Sequence, residues 1–292
     1  MAVKDEQPEA SVTLETIGSQ FILTLDHPPT RNALSNQVAT QLIGGLRELE
    51  ARADLRVGII IGAGDTFCSG ADLNDRTVHA TADVREHVPR RRSTVFDLVA
   101  RSSKPIIAAL NGPAVGGGAN LAMACDLRIC ADEAWMQWPQ AKLGVLPGSG
   151  TLARLSATVG IARALEWTLG CTKVGAEAGR ESGLYNRVCP RDDLRAAALE
   201  MGTLISESSP LSVRFIKESL SYLVQSQAST TADADEYRSF ILYNSPERKE
   251  ASEKWRQNQA DRNQADRNQA DRNQADRNQA DRNQTDRNQT KR

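Results

Sequence analysis

The stretch from Lys104 to Ala131 constrains this chain more than any other. Lys104-Pro105 opens onto an apolar run, Ile106 to Leu110, with the pattern of a buried strand, and Asp126-Leu127-Arg128-Ile129-Cys130-Ala131 reads as another. Between them Asn111-Gly112-Pro113 is a turn, and Gly116-Gly117-Gly118 runs directly into small residues that fit a short helix. Glycine lets a second molecule approach the main chain closely. The free N–H groups at such a helix start, with the helix dipole behind them, suit a developing negative charge. A tight strand–helix corner without chemistry has the same pattern. A phosphate-binding P-loop does not fit, because no Gly-Lys-Ser/Thr follows.

A second segment repeats the arrangement. Val57-Gly58-Ile59-Ile60-Ile61 is a buried-strand pattern, followed by Gly62-Ala63-Gly64-Asp65-Thr66-Phe67-Cys68-Ser69-Gly70-Ala71-Asp72-Leu73. Two loops of this kind can converge on one oxygen, as an oxyanion hole requires. With Phe67 to Leu73, Asn111 to Gly118 and Leu143-Gly144-Val145-Leu146-Pro147-Gly148-Ser149-Gly150 in this order and spacing, the sequence resembles the crotonase (enoyl-CoA hydratase/isomerase) superfamily. The likeness runs from about Val12 to Trp255.

The resemblance implies an α/β fold, the crotonase-like spiral of repeated ββα units, ending in a helical region that builds a trimer or hexamer. It implies an acyl-CoA thioester as ligand, coenzyme A entering as part of the substrate and no separate cofactor. The thioester carbonyl would be held by the backbone N–H groups at the positions of Ala71 and Gly117. Arg31, Ala33, Leu34, Ser69, Asp72, Leu73, Asn74, Gly116 and Trp138 become the candidate substrate-binding residues, with Arg31 to Leu34 against the adenine end of coenzyme A. Arg31 there is either a phosphate partner or a solvated charge at a helix entry. Trp135, Met136 and Trp138 fit core and pocket wall equally well.

Hydration in this family uses two glutamates, and the matching positions here are Asn120 and Gln140. A neutral amide is no general base near neutral pH, and a positioned acid or base typically contributes ~100- to 10,000-fold. The position of an aspartate used by dienoyl isomerases and dehalogenases of the family is Gly148. Three readings follow. One is a hydratase/isomerase-type enzyme using unusual groups, such as Asp72, Asp75 or a water held by Asn120 and Gln140. Another is an acyl-CoA decarboxylase, in which departing carbon dioxide leaves the enolate. The third is a non-catalytic acyl-CoA-binding protein. Ordinary hydratase activity is expected to be very weak in all three.

Composition narrows the class. A formal net charge of −1 with 25% charged residues argues against nucleic acid or an anionic membrane as main partner. Five cysteines, none in a Cys-x-x-Cys pair, and three histidines give no metal-ligand cluster. No apolar signal region or membrane span is evident, so a cytoplasmic protein is expected. His27 reads as a turn residue with no identifiable partner carboxylate, His79 and His87 are poor candidates for catalysis, and Arg90-Arg91-Arg92 reads either as a partner for the coenzyme A phosphates or as a solvated run before a helix over Ser93–Arg101. Gly148-Ser149-Gly150-Thr151-Leu152-Ala153 matches a dinucleotide fingerprint in letters but follows a proline-containing loop, and is rejected.

The expected layout is a flexible N-terminus (1–11), an acyl-CoA-binding core (12–191), a helical oligomerisation region (192–257) and a disordered tail (258–292). In the helical region Leu194, Ala198, Met201 and Ile205 mark one helix, Val213, Ile216, Leu220 and Leu223 a second, and Tyr237, Ile241 and Leu242 a third; Pro246 opens a last one. From Asn258 the sequence repeats Asn-Gln-Ala-Asp-Arg, displacing the family's usual end. The repeat has no large apolar residue, so it cannot offset its ordering entropy by burial.

Overall fold

Residues 11–72, 94–255 and 257–258 are described by a computed structural model; of residues 225–234, 236, 240 and 243 it describes the backbone alone. The strand pattern on either side of Gly18-Ser19 forms a hairpin, β1 (Ser11–Ile17) and β2 (Gln20–Asp26), paired antiparallel from Ser11↔Asp26 to Ile17↔Gln20. The two-residue turn places Gly18 at φ 57°, the left-handed region a hairpin of this length needs. A helix follows, α1 (Asn36–Ala51), capped by the Ser35 side chain accepting from Val38 N–H. Its Val38, Leu42, Leu46 and Leu49 are buried along one face, as their spacing requires.

The chain then runs through β3 (Val57–Gly62), α2 (Val95–Arg101), β4 (Ile106–Leu110), β5 (Ala114–Val115), α3 (Gly117–Ala124), β6 (Leu127–Ala131) and β7 (Trp135–Gln137). After these come α4 (Thr151–Val159), α5 (Ile161–Leu169), β8 (Val174–Gly175), α6 (Ala176–Glu181), β9 (Arg187–Cys189), α7 (Leu194–Ser206) and α8 (Pro210–Asn244). The main sheet has the order β1-β2-β3-β4-β6-β9, parallel except for the β1–β2 hairpin. A small second sheet, β5-β7-β8, stands beside it. Strands β3, β4 and β6 are covered on both faces, which explains why they read as unbroken apolar runs.

Successive residues of β2 show the layering. Leu23 meets α1, where a Cβ on Gly45 would stand 2.7 Å from Leu23 Cδ2. Its neighbour Ile22 points the other way, beside Ala198 and Leu199 of α7, and Gln20 on that same face donates to Leu199 O at 3.0 Å. The sheet is therefore sandwiched between helices, in the repeated strand–strand–helix arrangement of a crotonase-like spiral.

The helical end departs from expectation in one respect. The second and third helices are a single one, α8, of 35 residues. No glycine follows Pro210 within it, and no further proline either, so nothing in the sequence breaks the backbone ladder. Lys217 fastens α8 to the body: its buried Nζ donates to Asp126 Oδ2 at 2.7 Å and to Lys104 O at 2.9 Å. Leu211, Phe215, Leu220 and Leu223 of α8, with Ile161, Leu165 and Leu169 of α5, are exposed apolar residues. Among the described residues no helix is long and apolar enough to cross a membrane. Residues 1–10, His79, His87, Asp75, Arg90 to Arg92 and the repeat from position 259 lie outside the described residues.

Candidate active site

Two side chains pin the first glycine-rich corner. Buried Asn111, just after β4, accepts from Gly62 N–H at 3.0 Å and donates to Gly64 O at 3.0 Å. Buried Asn32 donates to Ala63 O (2.9 Å) and Thr66 O (2.7 Å) and accepts from His27 N–H (2.9 Å). Asn32 holds φ 58°, a conformation asparagine tolerates better than most side chains. His27 is the turn residue expected, its Nδ1 2.6 Å from Thr30 Oγ1.

From this corner the chain runs back beside 30–34. Ser69 N–H donates to Arg31 O, Ser69 Oγ to Thr30 O, Leu34 N–H to Gly70 O and Asp72 N–H to Leu34 O. The Leu34–Ala71 pair is thus a parallel bridge made by the groups on either side of Ala71. In such a bridge the N–H of Ala71 itself points away from Leu34. It points toward the second corner. A Cβ on Gly117 would stand 3.2 Å from Ala71 N, and one on Gly70 would stand 3.0 Å from Gly117 N.

Glycine is required where these corners touch. Gly70 holds φ 101°, and a side chain there would strike Val115 O at 2.7 Å. A Cβ on Gly118 would lie 2.1 Å from Cys68 O, so α3 seats directly on the backbone of the first loop. Helix α3 begins at Gly116 without any side-chain cap, and seven of its eight residues are buried. Its other end is closed by Arg128, a buried guanidinium that donates to Cys125 O (2.9 Å), Ala122 O (3.2 Å) and Leu184 O (2.7 Å). Two carbonyls at that end, Ala122 O and Cys125 O, thus have a charged donor, while the amide end has no side-chain cap. Neither Ala71 N–H nor Gly117 N–H has an acceptor among the described residues.

Two buried amide side chains belong to the elements that flank this corner. Asn120 lies three residues beyond Gly117, on the same helix face, and its own N–H donates to Gly116 O. Gln140 arrives from the other side. Gly116 N–H donates to Gln137 O at the end of β7, and the chain then turns through a short 3-10 helix, Pro139–Leu143. This puts Gln140 Nε2 4.0 Å from where a Cβ on Gly116 would be. Asn120 is 7% exposed and Gln140 6%, yet Asn120 Oδ1 and Gln140 Oε1 have no hydrogen-bond partner. Buried polar atoms are usually paired, so each unpaired one calls for an explanation; Gln20 Oε1, Trp138 Nε1, Thr151 Oγ1 and Arg154 Nε share that condition.

The other candidates sort by position. Arg31, Ala33, Leu34, Ser69 and Asp72 are brought together along the first loop, and Gly116 lies in the second. Leu73 and Asn74 lie outside the described residues. Trp138 is wholly buried in the core cluster, as is Met136, so of the pocket-or-core alternatives it takes the core. Trp135 is half-buried and carries Lys173 Nζ 4.2 Å from its ring centroid. Gly144 and Val145 N–H close the Gln140 turn, and a Cβ on Gly144 would lie 2.8 Å from Arg248 Cα, so the last helix, over 246–255, packs onto this loop. Burial pushes the Cys68, Cys125 and Cys130 thiols up to about 12, which keeps all three protonated and poor as nucleophiles. No cluster of histidine, cysteine and carboxylate groups suited to a metal occurs among the described residues.

The largely parallel main sheet with its small second sheet, and two glycine-rich corners that meet at Gly70, Ala71 and Gly117, define a crotonase-type protein. Comparison with known proteins agrees. The Enoyl-CoA hydratase/isomerase family pattern matches residues 17–263, and the chain belongs to that family. It is 38% identical over 209 residues to "Probable enoyl-CoA hydratase echA8" of Mycobacterium bovis, covering 71% of this chain and 80% of that one. It is 32% identical over 200 residues to 2,3-dehydroadipyl-CoA hydratase of Escherichia coli, covering 68% and 77%. Among solved structures, carnitinyl-CoA hydratase from Mycobacterium avium superposes with a TM-score of 0.76 at 29% identity, over 86% of this chain and 97% of that one.

Proposed function

We propose that this protein binds acyl-CoA thioesters with the carbonyl oxygen between Ala71 N–H and Gly117 N–H, and that it stabilises a thioester enolate there. One observation carries the reading: two neighbouring backbone donors, one at a helix start, have no acceptor of their own. Such donors are fixed before the reaction, so they stabilise charge at the oxygen without reorganising. Proton transfer is the weak part. Asn120 and Gln140 occupy the places where a base and an acid would act, and neither amide exchanges a proton near neutral pH. The protein is therefore a very poor crotonyl-CoA hydratase. The unpaired amide oxygens favour a second reading, in which the thioester is held without being changed.

The exposed apolar residues of α8 support assembly into a homotrimer or hexamer through the region 192–257. Five free cysteines support a reducing, cytoplasmic setting. The placement of the carbonyl is tested by Gly117→Val, whose side chain would press on the Ala71 amide. Butyryl-CoA binding, followed calorimetrically, should weaken about tenfold, the scale of one lost hydrogen bond to a neutral carbonyl. A crystal complex of the unaltered protein should put the thioester oxygen within hydrogen-bond distance of both amides. Unchanged affinity in the variant, or an oxygen elsewhere, would sink the placement.

A further inference from the structure

We propose that the cavity bounded by α3, α4, α7 and α8 is a second binding site, taking small alkyl carboxylates with the carboxylate at Arg128 and Arg154. The cavity measures about 530 Å³, within the roughly 300–1,000 Å³ of small-molecule sites. It is separate from the glycine corners. Pro105 and Leu127 line it at the starts of β4 and β6, whereas the corners follow the ends of β3 and β4. Met123 and Ala124 line it at the far end of α3, about 10 Å of helix beyond Gly117.

Charge is the first argument. Arg128, Arg154, Lys217 and Asp126 are the charged residues that line the cavity. Lys217 and Asp126 neutralise each other across 2.7 Å. Neither arginine forms an ion pair among the described residues. Arg128 is 6% exposed and directs Nε and Nη1 to three backbone carbonyls, and its Nη2 has no acceptor among the described residues. Arg154 gives Nη2 to Ser149 O, and its buried Nε has no partner. Burial lowers the pKa of both guanidinium groups, which stay charged all the same. Asp97 opposes that shift in Arg154 only through space, because its carboxylate caps α2, accepting from Thr94 N–H and Oγ1. A buried cation without a counter-charge is costly, and an anion brought beside it offsets the cost. Each arginine has already committed part of its fork to carbonyls, so the donors that remain suit the two oxygens of a carboxylate.

Polarity is the second argument. Arg128 is buried, but Leu204, Ile216 and Leu220 line the same cavity while 57%, 60% and 64% exposed. On α8 the lining residues Val213, Ile216, Leu220 and Val224 recur at helical spacing, so they form one apolar wall. An alkyl chain laid along that wall removes apolar surface from water. An inorganic anion would leave the wall wet, and a neutral amphiphile would leave the arginines without a counter-charge. Leu211, Phe215 and Leu223, exposed elsewhere on α8, line no part of the cavity and remain for assembly.

The test is calorimetric titration of the full chain with decanoate, with decanol and with inorganic phosphate. Decanoate should bind saturably and about tenfold or more tightly than either of the others, the scale of one charge-assisted hydrogen bond. In Arg154→Gln the advantage of decanoate over decanol should fall toward one, with decanol binding unchanged. Ser221→Trp, on the half-exposed cavity face of α8, fills the space and should abolish decanoate binding. Absence of decanoate binding to the unaltered protein overturns the proposal, as does an affinity no better than that of decanol or of phosphate. Decanoate affinity that survives both substitutions places the ligand elsewhere and overturns it too. If Ser221→Trp lowers the sedimentation coefficient of the unliganded protein, a second copy of the chain covers this face and the proposal falls. Should a variant misfold, a crystal complex of the unaltered protein with decanoate decides: the carboxylate should lie within hydrogen-bond distance of Arg128 or Arg154, and any other place overturns the assignment.

Discussion

The site has a main-chain half and a side-chain half, and they are built to different standards. In the main-chain half, Gly70 and Gly118 leave no room for a side chain, α3 is anchored through Arg128, and the amides of Ala71 and Gly117 have no acceptor among the described residues. In the side-chain half, Asn120 and Gln140 are buried without completed hydrogen bonds, and neither can move a proton. On the proposed reading, stabilising an anion and transferring a proton are separate tasks, the first belonging to backbone geometry and the second to the side chains at positions 120 and 140.

Arg128→Leu should produce the largest disturbance, because it strips the donor from three buried carbonyls and releases the closed end of α3. At ~1–3 kcal/mol for each group left unpaired, the loss should reach on the order of 3 kcal/mol or more. Differential scanning calorimetry should show the midpoint lowered by about 6–12 °C. A shift under about 2 °C would mean that the main-chain half is not held from this end.

The matching change in the other half should do little. Gln140→Met keeps length and volume while removing an oxygen that has no partner, so stability should change by less than about 1 kcal/mol in either direction. Urea unfolding resolves a difference of that size. A loss as large as that of Arg128→Leu would show that Gln140 is a structural residue, and the contrast between the halves would disappear.

The main-chain half was the more legible in sequence. Glycine runs after apolar strands announce sharp corners, and the resemblance to the crotonase superfamily points to Ala71 and Gly117 within them. The residues that make the corners rigid were harder to see. Asn32 and Arg128 act through bonds to carbonyls far away in the chain, such as Asn32 to Thr66 and Arg128 to Leu184. A lone arginine inside an apolar run, Leu127-Arg128-Ile129-Cys130, was the available signal, since a buried cation demands partners. Trp138 illustrates the opposite difficulty: an aromatic beside a proline fits core and pocket alike, and only packing places it in the core. The continuity of α8 was missed because apolar spacing weakens after Val224, although no residue there breaks a helix.

The separation of the two halves is tested most directly by the rate of crotonyl-CoA hydration in the unaltered protein and in Asn120→Glu with Gln140→Glu. Loss of the absorbance of the conjugated enoyl thioester is one such readout. With folding verified, the unaltered protein should stay near the uncatalysed rate, and the double variant should gain at least ~100-fold, the lower end of what a positioned acid or base contributes. Turnover by the unaltered protein at about 10 per second, an ordinary enzyme's pace, would contradict the account and require another side chain to carry the proton.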